Sequence, residues 1–269
     1  MRNNICFIFF LLLVVLPVHS ENSSHFSIYE ITCEQQVEPL GIESRSPRFS
    51  WKVTSQKRTY RQSAYRILVA DSEEVLAVGE ATIWDSGKLF SSNSVLIPFQ
   101  GKELHSATRY YWKVKVWNEA GEESAWSKQG SFVTGMMKEG DWGKAQWIAL
   151  EKDDPAKNLY PGIHAPLVQK MIGERKVGGY KLPMFRKELS LNKEVKEAIV
   201  NISGLGHFDF YINGGKVGNH FLDPGWTNYA KTALYLTFDV TTLLKKKNVL
   251  GIMLGNGFYN VPRERISSN

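Results

Sequence analysis

The sequence predicts an all-β chain, two antiparallel sandwiches in series, on three observations. Tyr110-Tyr111-Trp112-Lys113-Val114-Lys115-Val116-Trp117-Asn118 alternates, with Tyr110, Trp112, Val114 and Val116 on one face and Lys113 and Lys115 on the other, the period of a half-buried strand. Phe208, Phe210 and Ile212 repeat that period, and Asn213-Gly214 behind them supplies the positive φ angles of a tight hairpin before Lys216-Val217-Gly218. Between the two patterns Asp153 to Gly179 turns polar and rich in Gly, Pro and Lys. An irregular linker over 136–181 therefore separates a unit at 21–135 from one at 182–269.

Taken in order, Arg2 followed by the apolar run Ile5 to Val18, with Val18-His19-Ser20 behind it, reads as a secretory signal peptide over 1–20. The run falls short of the roughly 20 residues that cross a bilayer. The expectation is an exported protein, periplasmic or extracellular, with no membrane span. Cleavage would remove Cys6 and leave Cys33 alone, so no internal disulfide forms and stability rests on packed cores. Neither cysteine sits in a lipid-anchor context. Lys and Arg number 33 against 27 Asp and Glu, a net +6, but apart from Lys245-Lys246-Lys247 they are interspersed with acids. That pattern is a solvated surface and argues against a nucleic-acid partner.

In the first unit every element reads as strand. Tyr65 to Ala70 is β-rich and stops at Asp71-Ser72, Trp84-Asp85-Ser86-Gly87 turns into Ser94 to Ile97, and Ser124-Ala125-Trp126-Ser127 opens a last strand ending at Phe132-Val133-Thr134. With Leu104 ahead of Tyr110 and a turn at Asn118 to Gly121, the layout resembles a fibronectin type III sandwich. Tyr110 then stands at the tyrosine corner, its hydroxyl tied to upstream backbone. In the linker, Met136 to Trp142 reads as an apolar staple and Ala145-Gln146-Trp147-Ile148 as one short strand.

In the second unit Phe185 to Leu189 is a strand, Ala198, Val200 and Ile202 share a face, and Gly204-Leu205-Gly206 turns into the Phe208 strand. Asp223-Pro224-Gly225 is a turn. Leu234, Leu236, Phe238 and Val240 alternate inward, Asp239 and Thr241 start a helical turn at Thr242-Leu243-Leu244, and Val249 to Leu254 is a final strand. The whole reads as the first half of a jelly roll.

Several motifs carry a resemblance. Pro39-Leu40-Gly41-Ile42 with Pro47-Arg48-Phe49-Ser50-Trp51, then Gln62 to Ala70 and Trp84-Asp85-Ser86-Gly87, resemble the N-terminal region of bacterial α-L-rhamnosidases of glycoside hydrolase family 78. Tyr211-Ile212-Asn213-Gly214, Leu222-Asp223-Pro224-Gly225-Trp226-Thr227 with Tyr229, Asp239-Val240-Thr241 and Leu254-Gly255-Asn256-Gly257-Phe258-Tyr259 are similar to the same family. The resemblance implies a fibronectin type III-like sandwich and a galactose-binding-like jelly roll ahead of a helical (α/α)₆ barrel. It also implies inverting hydrolysis of terminal α-L-rhamnose by an acid and a base in that barrel.

None of the acids here matches that pair, so no catalytic residue is expected; Asp209 reads as an outer-face residue, Asp223 as a turn and Asp239 as a cap. Lys247 stands before Asn248 where the family usually places Gly, which would strain a positive φ. The chain stops at Ile266-Ser267-Ser268-Asn269 where family members continue into strands. A truncated jelly roll would leave Phe208, Phe210, Leu236 and Phe238 open to water and strand edges unpaired.

Candidate carbohydrate contacts are Asn213, Trp226, Asn228 and Tyr229, with Trp226 and Tyr229 expected to pack over the sandwich edge in preference to offering their rings to a sugar. No metal site and no cofactor is expected. The functional expectation is a non-catalytic N-terminal part of an α-L-rhamnosidase, with a rhamnose-containing glycan and a separate barrel-bearing chain as partners. The alternatives are a free-standing exported carbohydrate-binding or adhesion module, and a decayed product without a role.

Overall fold

The computed structural model describes residues 25–150, 182–255 and 257. The signal-peptide segment, the polar stretch Asp153 to Gly179 and the final Ile266 to Asn269 lie outside the described residues.

In the first unit β1 (Phe26–Cys33), β2 (Arg48–Ser55) and β6 (Ile97–Pro98) form one antiparallel sheet. The facing sheet has the order β4-β3-β7-β8, from β3 (Gln62–Ala70), β4 (Trp84–Asp85), β7 (Arg109–Asn118) and β8 (Gly130–Val133), with β5 (Leu89–Phe90) also on β3. The predicted inward face is the core: Tyr110, Trp112, Val114 and Val116 are fully buried. They meet Phe49 from the opposite sheet, whose ring lies 4.5 Å from Trp112 and 5.9 Å from Phe132. A buried phenol needs a partner. Tyr110 has one, its hydroxyl accepting the His105 N–H at 2.8 Å, as the tyrosine-corner expectation requires.

The outward face of β7 departs from expectation. Lys113 is buried, because the short helix α1 (Glu73–Ala77) lies across it. The Ser72 hydroxyl accepts the Val75 N–H to cap that helix, and Glu73 and Glu74 favour its positive N-terminus. Leu76 joins Leu68 and Ala70 in a second small core with Trp126 beside it. The Lys113 ammonium donates to the Leu76 carbonyl at 2.5 Å and sits 5.2 Å from the Trp126 ring. Burial first, and Lys115 second, hold its pKa below the usual lysine value.

Three strand boundaries also need correction. Ser124 to Ser127 is not strand: the two serine hydroxyls accept the N–H groups of Val116 and Val114 at 3.1 Å, and the serines' own N–H groups donate back to Val116 and Val114. The edge of β7 is thus sealed without a regular ladder, and the strand proper starts at Gly130. Of Ser94 to Ile97 only Ile97 is in a strand, Leu96 taking a left-handed φ of 53°. Ala145 to Ile148 is irregular, with Trp147 and Ile148 exposed, and the ordered element nearby is a 3₁₀ turn over Glu139–Trp142.

In the second unit β9 (Met184–Ser190), β11 (Phe208–Ile212), β12 (Gly215–Lys216) and β14 (Lys247–Leu254) form a sheet of order β12-β11-β14-β9. The predicted hairpin is present, with Asn213 at φ 53°, Gly214 at φ 86° and Ile212 paired to Gly215. β10 (Ile199–Ser203) and β13 (Tyr235–Asp239) pair as a second sheet. This small sheet closes the core: Phe208, Phe210, Ile212, Val217, Phe238 and Val240 are buried and Leu236 packs on them, part-buried. The expectation of open inner faces is therefore corrected, since the described strands already cover them. Leu234 lies outside β13 and is exposed. Lys247 begins β14 outside the left-handed region, so the expected strain is absent there.

The two units touch through β13. Leu236 and Phe238 face their own core, while Tyr235, Thr237 and Asp239 face the first sandwich. The Tyr235 hydroxyl accepts the Met136 N–H at 2.7 Å, and the Trp142 ring meets it edge-on at 5.2 Å. Burial first, and Glu43 second, push the Tyr235 phenol up to about 12. Arg109 donates from Nη2 to Asp239 and from Nε to Glu197, both at 2.5 Å.

Two measurements follow from the first core. Tyr110→Phe should cost about 1 kcal/mol through the lost His105 bond, and Tyr110→Ala about 3–5 kcal/mol through the cavity, in urea unfolding followed by tryptophan fluorescence. Cys33 is buried, and desolvation first, with the Glu34 carboxylate second, pushes its thiol up to about 12. Because the thiolate is the reactive form, Cys33 should resist iodoacetamide at pH 8 in the native chain and react once urea unfolds it, as peptide mass mapping will report.

Candidate functional site

The loop between β12 and β13 carries three of the four candidate sugar contacts, and its conformation is set by a few anchors. Val217 is buried and donates its N–H to the Phe210 carbonyl, and Gly218 then turns the chain at φ 76°. The Asp223 carbonyl accepts the Phe208 N–H at 2.7 Å, tying the loop to β11. His220 Nδ1 lies 2.9 Å from the Asp223 carboxylate, and Pro224 behind it is buried. Further on, the Asn228 carbonyl accepts from Lys231 and Thr232, its side-chain oxygen accepts from Ala230, and the Thr227 hydroxyl donates to the Thr232 carbonyl.

On this braced frame Phe221 is 77% exposed and Trp226 is 67% exposed. The preference for packing Trp226 over the sandwich edge is corrected: Pro224 fills the buried position, and the indole two residues on faces out. Tyr229 is half-buried. Asn228 serves its own turn. Asn213 is committed elsewhere, its amide donating to the Leu243 carbonyl at 3.2 Å and to Asn248 at 3.0 Å while its oxygen accepts the Val249 N–H at 2.9 Å. Of the four candidates, only Trp226 presents a largely exposed ring. Phe221 was missed by the sequence reasoning, although its place in an apolar Phe-Leu pair just before a turn is a usable signal.

The carboxylates are engaged as well. Asp209 pairs with Lys216 at 2.6 Å on the outer face of the sheet and raises that lysine's pKa. Asp223 holds His220. Asp239 accepts from the Thr241 N–H and hydroxyl, at 3.0 and 2.6 Å, just ahead of the 3₁₀ turn Thr241–Leu243, whose N-cap is Val240 and not Asp239 as expected, while its other oxygen takes Arg109. Among the described residues no group of three or more His, Cys, Asp or Glu could hold a metal ion, and no helix is long and apolar enough to cross a membrane. The first sandwich has a shallow groove of about 400 Å³ on β1 and β2, between Thr32, Ser50 and Leu96, bridged by a Glu30–Lys52 pair at 2.7 Å.

The chain is thus two β-sandwiches, one closed around an aromatic-rich centre and the other presenting a braced aromatic loop. Residues 28–138 match the Rha78A-like N-terminal immunoglobulin domain, and 193–268 match the α-L-rhamnosidase N-terminal domain. The chain has the N-terminal region of a glycoside hydrolase family 78 α-L-rhamnosidase.

An α-L-rhamnosidase of Formosa agariphila is 45% identical over 222 residues, 82% of this chain and 23% of that protein. One of Alteromonas sp. strain LOR is 35% identical over 227 residues, 83% of this chain and 23% of that protein. Among solved structures, the α-L-rhamnosidase of Dictyoglumus thermophilum is 38% identical with a TM-score of 0.73, over 87% of this chain and 25% of that one. That of Aspergillus terreus is 28% identical with a TM-score of 0.68, over 87% and 24%. The chain thus spans about a quarter of the length of the relatives it matches.

The bracing and display residues should separate in stability measurements. Asn213→Ala leaves a strand N–H and a turn carbonyl without their partner and should cost about 1–3 kcal/mol. Trp226→Ala should change stability by less than about 0.5 kcal/mol. Thermal melts of the two variants beside the parent check both.

Proposed function

We propose that this chain is the non-catalytic N-terminal region of an exported α-L-rhamnosidase system and that it holds a rhamnose-containing glycan against the loop at 219–229. The observation that carries the reading is the exposed Trp226 ring on a loop anchored at Asp223 and Pro224. An indole offers a flat apolar face of the size of a sugar ring, and a braced loop presents it at little entropic cost on binding. Turnover resides in a helical barrel supplied outside the described residues. Inverting hydrolysis needs a protonated acid and a free base on opposite sides of the sugar. Asp209, Asp223 and Asp239 are each tied to a cationic or imidazole partner and serve the fold. Export is supported by Arg2 and the Ile5 to Val18 run.

The exposed Phe221 on the same loop also favours a second reading, a free-standing carbohydrate-binding module that uses the same rings. The two readings share a binding surface and differ in whether a barrel partner is needed for function.

The purified chain should release no rhamnose from an aryl α-L-rhamnoside, and a rhamnose-terminated oligosaccharide should quench its tryptophan fluorescence. Trp226→Ala should weaken that binding at least tenfold, a loss of about 1.4 kcal/mol. Turnover that co-purifies with the protein overturns the non-catalytic assignment, and binding indifferent to Trp226→Ala overturns the site.

A further inference from the structure

The contact between the two sandwiches is a built surface. β13 is five residues long, and among the described residues it pairs with β10 in a two-stranded sheet. A two-stranded sheet depends for its stability on what it packs against. The inward residues Leu236 and Phe238 pack on the second core, and the outward residues Tyr235, Thr237 and Asp239 each meet a separate feature of the first sandwich.

At the first of these, Tyr235 places its hydroxyl on the Met136 N–H and lies against Gly135, where any Cβ would run into that hydroxyl. At the second, Thr237 stands over Gly41, where a Cβ would come within 2.7 Å of its hydroxyl oxygen. At the third, Asp239 and the neighbouring Glu197 take both sides of the Arg109 guanidinium, which is 15% exposed. The two glycines are neighbours, a Cβ at Gly135 falling 3.1 Å from the Gly41 carbonyl oxygen. Val133 donates to the Pro39 carbonyl, Ile42 to Val133, and Gly135 to Ile42, so Pro39-Leu40-Gly41-Ile42 runs beside the end of β8. Gly41 reaches its position at φ 79°, a conformation that L side chains rarely adopt. The motif therefore serves the neighbouring domain.

Arg109 supplies selectivity. A two-carboxylate clasp around a half-dry guanidinium costs desolvation, and it punishes any seating that leaves one charge unpaired. The fit is for a strand with tyrosine, threonine and aspartate at alternate positions, together with an acid from the strand's neighbour.

We propose that the end of the first sandwich formed by Gly41, Arg109, Gly135 and Met136 is a docking platform on which the β10–β13 sheet depends for its order. The dependence runs one way, because the first sandwich owns a complete core without it. This makes the first domain a rigid mount that fixes the direction of the second, in contrast to a bead on a flexible linker.

Native-state hydrogen exchange of the full chain, read by peptide mass spectrometry, tests it. Arg109→Met and, separately, Gly135→Val should speed exchange in β10 and β13 at least tenfold and leave β3 and the centre of β7 unchanged. Tyr235→Phe approaches the contact from the other side, removing one hydroxyl without adding bulk, and should give a smaller rise in the same strands. Unchanged exchange in β10 and β13 for all three variants overturns the proposal, and so does a uniform rise in both sandwiches, which would mark Arg109 and Gly135 as ordinary parts of the first core.

Discussion

The constraint on which the rest of this molecule depends is that both faces of β13 are engaged by packing partners. Its alternate residues are divided between a core and a contact: Leu236 and Phe238 pack in the second sandwich, and Tyr235, Thr237 and Asp239 meet the first. A strand with one buried face tolerates polar exchange on the other. Here a slip of one residue would put Tyr235 and Asp239 into an apolar core and Leu236 and Phe238 against two glycines and an arginine, so register is specified twice. β10 inherits that register through five paired positions, from Ile199 on Asp239 to Ser203 on Tyr235. Closure of the second core over Phe208 and Phe210 follows from where β10 and β13 are held.

The first sandwich can bear that role because its central sheet is covered on both faces. The inner face of β3 and β7 packs on Phe49 and Trp51, and the outer face carries α1 and Trp126. Lys113 shows the consequence. A lysine on the outer face would ordinarily be solvated, but its amine is turned to the Leu76 carbonyl at the end of α1, and burial depresses its pKa. The free edge of β7 is closed by the Ser124 and Ser127 hydroxyls, which satisfy two backbone N–H groups where a ladder would otherwise invite a foreign strand. The platform's residues, Arg109 at the start of β7 and Gly135 just after β8, project from this stiff frame.

How much of this was legible in the sequence depends on the range of each interaction. Period-two alternation exposed the inward sets of β7 and β11, Asn213-Gly214 the hairpin, and the spacing of Leu104 and Tyr110 the tyrosine corner, because each is local or nearly so. Helix α1 left no periodic trace, since five residues make little more than one turn; only the Ser72 cap with two following acids hinted at it. Lys113, Ser124 and Ser127 looked like surface residues because their partners come from another element or from backbone. The glycine of Pro39-Leu40-Gly41-Ile42 belonged to a family motif and Gly135 read only as the start of the linker; neither disclosed that it makes room for a side chain, Thr237 and Tyr235 in turn, from the other sandwich. At the candidate site, Trp226 was legible as a residue of interest, but its exposure was not, because the loop is anchored by contacts distant in sequence such as the Phe208–Asp223 bond. Asn213 was legible as a turn residue, and its side-chain role as a brace for β14 was not.

The position of the exposed rings follows from the same frame. The 219–229 loop is bonded to β11 through the Asp223 carbonyl, and β11 packs Phe210 against Phe238 with ring centroids 5.9 Å apart. Phe238 lies on β13, and β13 is seated on the first sandwich. A continuous path of backbone bonds and packed rings therefore links Trp226 to Gly41 and Arg109, through elements that each have one allowed register. Phe221 and Trp226, displayed on such a frame, add to neither core. The direction in which Phe221 and Trp226 face is consequently a property of both sandwiches together. A ligand laid across those rings, as proposed above, would be held at a fixed angle to both sandwiches.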